Sequence, residues 1–73
     1  MNKFKPNCEL IGQDGNIFNL LAIAVRTLRK YNMKSQAEEM SQRVFNSKSY
    51  DEALIVIDEY VNIIGSEHEN QMY

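Results

Sequence analysis

One cysteine, one proline, three glycines, one histidine and no tryptophan occur among 73 residues, and each scarcity removes an option. Cys8 alone cannot close an intrachain disulfide, and a lone thiol is expected to stay reduced, as in the cytoplasm. Cys8 and His68 together fall short of the four ligands of a structural zinc site. The longest apolar run, Leu20 to Val25, is far below the roughly 20 residues of a membrane span. The opening "MNKFKPNCEL" is charged where a secretory leader would be apolar. These absences lead to an expectation of a soluble, cytoplasmic protein with no metal, no cofactor and no membrane partner. Positive charge is missing from the last third of the chain. All Lys and Arg lie between Lys3 and Lys48, a stretch of net charge +4, and everything from Ser49 onward carries net −6. The simplest use of that asymmetry is internal, with a basic part packing beside an acidic part.

What is present is globular in character: 44% hydrophobic and 25% charged residues place the chain away from disordered compositions. The length allows a single domain, residues 1–73, with an ordered core over about 8–65 and a frayed tail over 66–73. A domain of this size buries only about 60% of its unfolded surface. Disulfides and metals being excluded, self-association is the remaining common reinforcement.

The periodicity predicts a mainly α fold: a compact three-helix domain preceded by a short extended segment. Cys8–Ile11 is the extended segment. Phe18, Leu21, Val25 and Leu28 then recur at helical spacing, and Leu20, Ile23 and Ala24 widen the stripe until the helix is apolar nearly all round. Arg26, Arg29 and Lys30 close it, favourably placed against the negative end of the helix dipole, and Tyr31-Asn32 is the expected stop. Two capping boxes follow, Ser35-Gln36-Ala37-Glu38 and Ser49-Tyr50-Asp51-Glu52, in which Ser and Glu satisfy free amides of a helix start. Ala37, Met40 and Val44 form a narrow stripe behind the first. Tyr50, Ala53, Leu54, Ile57, Val61 and Ile64 form a broad one behind the second. The third helix is expected to continue to Gly65. The alternative is a short strand after Tyr60 that pairs with Cys8–Ile11.

The segment Gly12-Gln13-Asp14-Gly15-Asn16 invites a ligand-binding reading, which the spacing refuses. Aligned with a calcium-binding EF-hand loop, its first, sixth and twelfth positions hold Gly12, Ile17 and Ile23, where acid, Gly and Glu are required. A phosphate-binding P-loop would need Gly-Lys-Ser/Thr. The segment instead reads as the turn that launches the first helix. Gly12 and Gly15 adopt angles other residues resist, Asp14 or Asn16 caps, and Ile17 and Phe18 begin burial. Gly15→Val is accordingly expected to cost more than Gln13→Ala.

Two surfaces are candidates for partners. The apolar surplus of the first and third helices, represented by Leu20, Ile23, Val56, Tyr60 and Ile63, exceeds what three short helices can cover and marks a protein interface. That interface would serve self-association as a homodimer or a heterologous partner. The basic cluster Arg26, Arg29, Lys30 and Lys34 could meet nucleic acid. Against that stand a sequence pI of about 5.2 and a third helix bearing Asp51, Glu52, Asp58 and Glu59, which DNA would repel. No catalytic constellation emerges, and an enzyme is not expected.

The segments "CELIGQDGNIFNLLAIAVRTLRKYNMKSQAEEM" and "SYDEALIVIDEYV" resemble a small family of uncharacterised proteins found largely on phages and mobile elements of low-GC Gram-positive bacteria. The resemblance rests on Leu10, Gly12, Asp14, Gly15, Asn16 and Phe18, with Ser49 and Tyr50 opening a later helix. It implies no activity, but it does suggest an accessory protein of a mobile element.

Overall fold

A computed structural model describes residues 4–65. The tail over 66–73 and His68 lie outside the described residues. Five elements follow in order: β1 (Asn7–Ile11), α1 (Ile17–Lys30), α2 (Lys34–Phe45), α3 (Tyr50–Tyr60) and β2 (Asn62–Gly65). Three helices thus form the crossover between two strands, as expected of a mainly α chain.

The end of α3 departs from the first expectation and follows the alternative. The helix stops at Tyr60, and Val61 is extended (φ −135°, ψ 154°). β2 then pairs in parallel with β1, Cys8 opposite Ile63 and Glu9 opposite Ile64. A continued helix would have left the β1 backbone without a partner, and unpaired backbone groups are costly wherever water is excluded. The strand also suits β-branched Val61, Ile63 and Ile64, and it buries Val61 completely. Asn62 fastens the junction. Its amide donates to the Pro6 carbonyl at 2.9 Å, and its side-chain Nδ2 donates to the Lys5 carbonyl at 2.9 Å. The register shifts between Glu9 and Ile11, and the alternation along β1 turns Leu10, like Cys8, into the core.

That core is one cluster built from every element except β2, whose Ile63 packs against it half-buried. Cys8 and Leu10 come from β1; Leu20, Leu21, Ala24 and Leu28 from α1; Ala37, Met40 and Val44 from α2; Ala53, Val56 and Ile57 from α3, with Val61 beyond it. A two-stranded sheet alone is marginal in water, and here one face of it is sealed by the helices through Cys8, Leu10 and the half-buried Ile63.

Helix ends differ in how they are capped. Asn16, and not Asp14, caps α1: its Oδ1 accepts from the amides of Phe18 (2.8 Å) and Asn19 (3.4 Å). Asp14 sits one layer further out, accepting the Asn16 amide at 3.0 Å. Ser49 caps α3 as expected, accepting from Glu52 at 3.1 Å, while the Glu52 carboxylate accepts from the Lys48 amide at 2.9 Å. Ser35 does not act as a cap. α2 begins one residue before it, with Met33 at the N-cap position and no side-chain cap bond. The cause is the tight α1–α2 turn, where Asn32 takes the left-handed conformation (φ 65°) and the Met33 amide bonds the Leu28 carbonyl at 2.8 Å. The chain is already aimed into α2 when Ser35 is reached.

Of the two turn glycines, Gly12 alone needs to be glycine for its backbone, with φ 95°. Gly15 does not, which corrects its expected role. A Cβ there would meet the Tyr50 hydroxyl at 3.4 Å, an ordinary contact.

Candidate functional site

The short turn after Lys30 folds α1 and α2 into an antiparallel hairpin. Residues equally far from the turn therefore come side by side. At the far end Phe18 meets Phe45, ring centroids 6.3 Å apart, and at the near end Arg29 and Lys34 line the same furrow. Across it Val25 and Arg29 of α1 face Lys34, Glu38, Ser41 and Phe45 of α2, and Phe18 stands beside Phe45 at its end. The recess along its middle is about 400 Å³, with Val25, Ala37 and Ser41 among its lining residues. Residues three and four apart share one face of a helix, so the furrow runs about three turns along the surface.

Phe18 and Phe45 are 63% and 65% exposed, which corrects the expectation that Phe18 begins the buried stripe. α1 starts at the edge of the core, and of its first three residues only Ile17 packs against it. Beyond the two phenylalanines a second recess of about 350 Å³ is lined by Lys48, Tyr50 and Ala53 as well as by Phe18 and Phe45. Tyr50 is oriented there by its hydroxyl, which donates to the Gly15 carbonyl. Three aromatic rings from three helices thus converge at one corner of the molecule.

The residues expected to form an interface divide. Leu20 and Val56 are buried in the core, 5% and 6% exposed, and cannot meet a partner while the chain is folded. Ile23, Tyr60 and Ile63 are half-buried against that core. The apolar surplus therefore lies elsewhere: on Phe18, Phe45 and Tyr50, on Ile55 of α3, on Ile11 of β1 and on the Phe4–Tyr31 pair. The signal for Phe18 and Phe45 was their symmetric distance from the Tyr31-Asn32 turn, visible once the two helices are taken as a hairpin. Ile55 is exposed because α3 turns Ala53, Val56 and Ile57 inward.

The basic cluster divides as well. Arg29 and Lys34 share the α1–α2 furrow, whereas Arg26 lines a different recess beside Asn7, Cys8 and Glu9. The internal pairing expected of the two charged halves is limited to one ion pair among the described residues. Arg43 binds Glu59 through two bonds, 2.6 and 3.2 Å, and reaches the Tyr60 hydroxyl at 3.2 Å. Glu59 foremost, then Tyr60, hold the guanidinium protonated beyond its ordinary range. Both side chains are close to half exposed, and pairs open to solvent add little to stability.

Cys8 is buried, and burial raises its thiol pKa above the ordinary value, with the Glu9 carboxylate adding to the effect and the Thr27 hydroxyl, 3.4 Å away, opposing it. Reactive cysteines show the opposite, a lowered pKa with access to solvent. Among the described residues no three His, Cys, Asp or Glu side chains gather as metal ligands, and no helix is long and apolar enough to cross a membrane. No family model matches the chain, and no curated protein or solved structure matches it either, so its own surface is the guide to what it does.

Proposed function

We propose that this chain is a small non-enzymatic protein–protein interaction module, and that the α1–α2 furrow with its aromatic corner is the docking surface. The observation that carries this reading is the convergence of Phe18, Phe45 and Tyr50, all exposed, at one corner where two neighbouring recesses share Phe45. Aromatic rings in a shallow apolar depression are the usual anchors of protein interfaces, and a groove between two helices suits an amphipathic helix. The protonated, buried Cys8 supports a role without covalent chemistry. The resemblance of Leu10 to Phe18 to proteins of phages and mobile elements supplies a setting, that of a cytoplasmic accessory protein.

The test is capture of binding partners by the wild-type chain and by Phe18→Ser/Phe45→Ser, with circular dichroism confirming that both are folded. Loss of capture in the folded double variant supports the docking surface, and equal capture by both removes it. The same preparations titrated with duplex DNA address the alternative of a nucleic-acid regulator. Binding that weakens steeply with salt and disappears in Arg29→Glu/Lys30→Glu would favour that alternative. The separation of Arg26 from Arg29 and Lys34 favours the protein partner.

A further inference from the structure

The furrow has a charge pattern as well as a shape. Its apolar middle and aromatic corner lie between cations: Arg29 and Lys34 at one end, Lys48 at the other, with Glu38 the acid on its wall. Among the described residues none of these four side chains makes an ion pair.

The outward face of α3 carries the complementary pattern. Asp51, Ile55 and Asp58 follow one another at spacings of four and three, and all three are exposed, Ile55 to 62%. An apolar side chain is thus flanked by a carboxylate on either side. No Lys or Arg lies on this helix, and among the described residues neither aspartate makes an ion pair. Asp51 and Asp58 are about 10 Å apart along the axis and the furrow is about 16 Å long, at 1.5 Å per residue. Long Lys and Arg side chains reaching inward from both ends close the difference.

We propose that the occupant of the furrow is α3 of a second copy of this chain, with Ile55 seated between the α1 and α2 ridges near Val25 and the two aspartates meeting the cations at its ends. The inference rests on the furrow being a docking surface and names what docks there. It also gives the divided charge of the sequence a use, since internal pairing absorbs only Arg43 and Glu59 among the described residues. Each copy presents one furrow and one α3 face, so the association is between unlike surfaces. One helix face covers less than the roughly 800 Å² per partner of a standard interface. Association is therefore expected to depend on concentration and to weaken with salt.

Light scattering over a concentration series at low and high salt tests this with three proteins: wild type, a furrow variant (Arg29→Glu/Lys34→Glu) and an α3 variant (Asp51→Lys/Asp58→Lys). All four substitutions are at exposed positions, and thermal melts followed by circular dichroism confirm that each variant is folded. The expected result is a wild-type mass that rises with concentration and falls with salt, and two variants that remain monomers alone. An equimolar mixture of the two variants should then associate, because one still has the α3 face and the other still has the furrow, and the two reversed surfaces are complementary as well. A wild type that stays monomeric throughout, or self-association that persists in both variants, overturns the proposal. A monomeric wild type that still captures another protein through Phe18 and Phe45 would overturn this inference alone and leave the docking surface standing.

Discussion

The hydroxyl of Tyr50 donates a hydrogen bond to the carbonyl oxygen of Gly15 at 2.5 Å, across 35 positions of sequence. This bond ties the turn before α1 to the first residue of α3 and holds the aromatic corner in place. Tyr50→Phe keeps the ring and removes the bond. In urea titrations the loss is expected to be about 0.5–1.5 kcal/mol. A variant as stable as wild type would mean that water replaces the bond at no cost.

The glycines of the same turn should respond differently. Gly12 has φ 95° and open space around its Cα, so an alanine there meets backbone strain of about 1–2 kcal/mol. Gly15 has an ordinary backbone, and its alanine variant is expected to be near neutral, helped by a less flexible unfolded chain. Urea midpoints of Gly12→Ala and Gly15→Ala give the comparison; the reverse order would contradict the backbone described here.

Capping separates three positions that look alike in sequence. Asn16→Ala and Ser49→Ala each remove an acceptor for free helix amides and should cost about 1 kcal/mol, or about 4–8 °C in Tm for a domain of this size. Ser35→Ala removes no cap and should melt like the wild type. A destabilised Ser35→Ala would place the start of α2 later than Lys34.

Val56 and Ile55 are neighbours with opposite consequences. Val56→Asp puts a carboxylate into the core and should unfold a domain whose whole margin is about 5–15 kcal/mol. Ile55→Asp, on the exposed face of α3, should leave the melt nearly unchanged. Circular dichroism distinguishes them, and a well-folded Val56→Asp would show that this position is not buried.

Cys8 makes stability depend on pH in a defined direction. Its folded pKa lies above that of the unfolded thiol, first because it is buried, so the folded chain holds the proton more tightly. The stability linked to it is fully present below the unfolded thiol pKa and is lost as pH rises through that value toward the folded one. Urea midpoints should therefore decline across the alkaline thiol range, and Cys8→Ala should remove that component of the slope. In native buffer, thiol reagents should label Cys8 only as fast as the structure opens.

Three helices, their order and most of their buried stripes were legible in the sequence, because helical periodicity and capping are local properties. Leu21, Ala24, Leu28, Met40 and Ile57 repeat at helical spacing whatever they pack against, and Ser49 caps within its own turn. The candidate docking surface was not legible in the same way. Whether Leu20 or Phe18, Val56 or Ile55 faces outward depends on which side of each helix the others cover, and a helix apolar nearly all round leaves that open. Packing decided it by burying Leu20 and Val56 and leaving Phe18 and Ile55 in water. It also decided the fate of Val61 to Gly65, whose composition suits either helix or strand. Only the nearby β1, whose residues pair with partners about 55 positions further along the chain, made the strand the state with fewer unsatisfied groups.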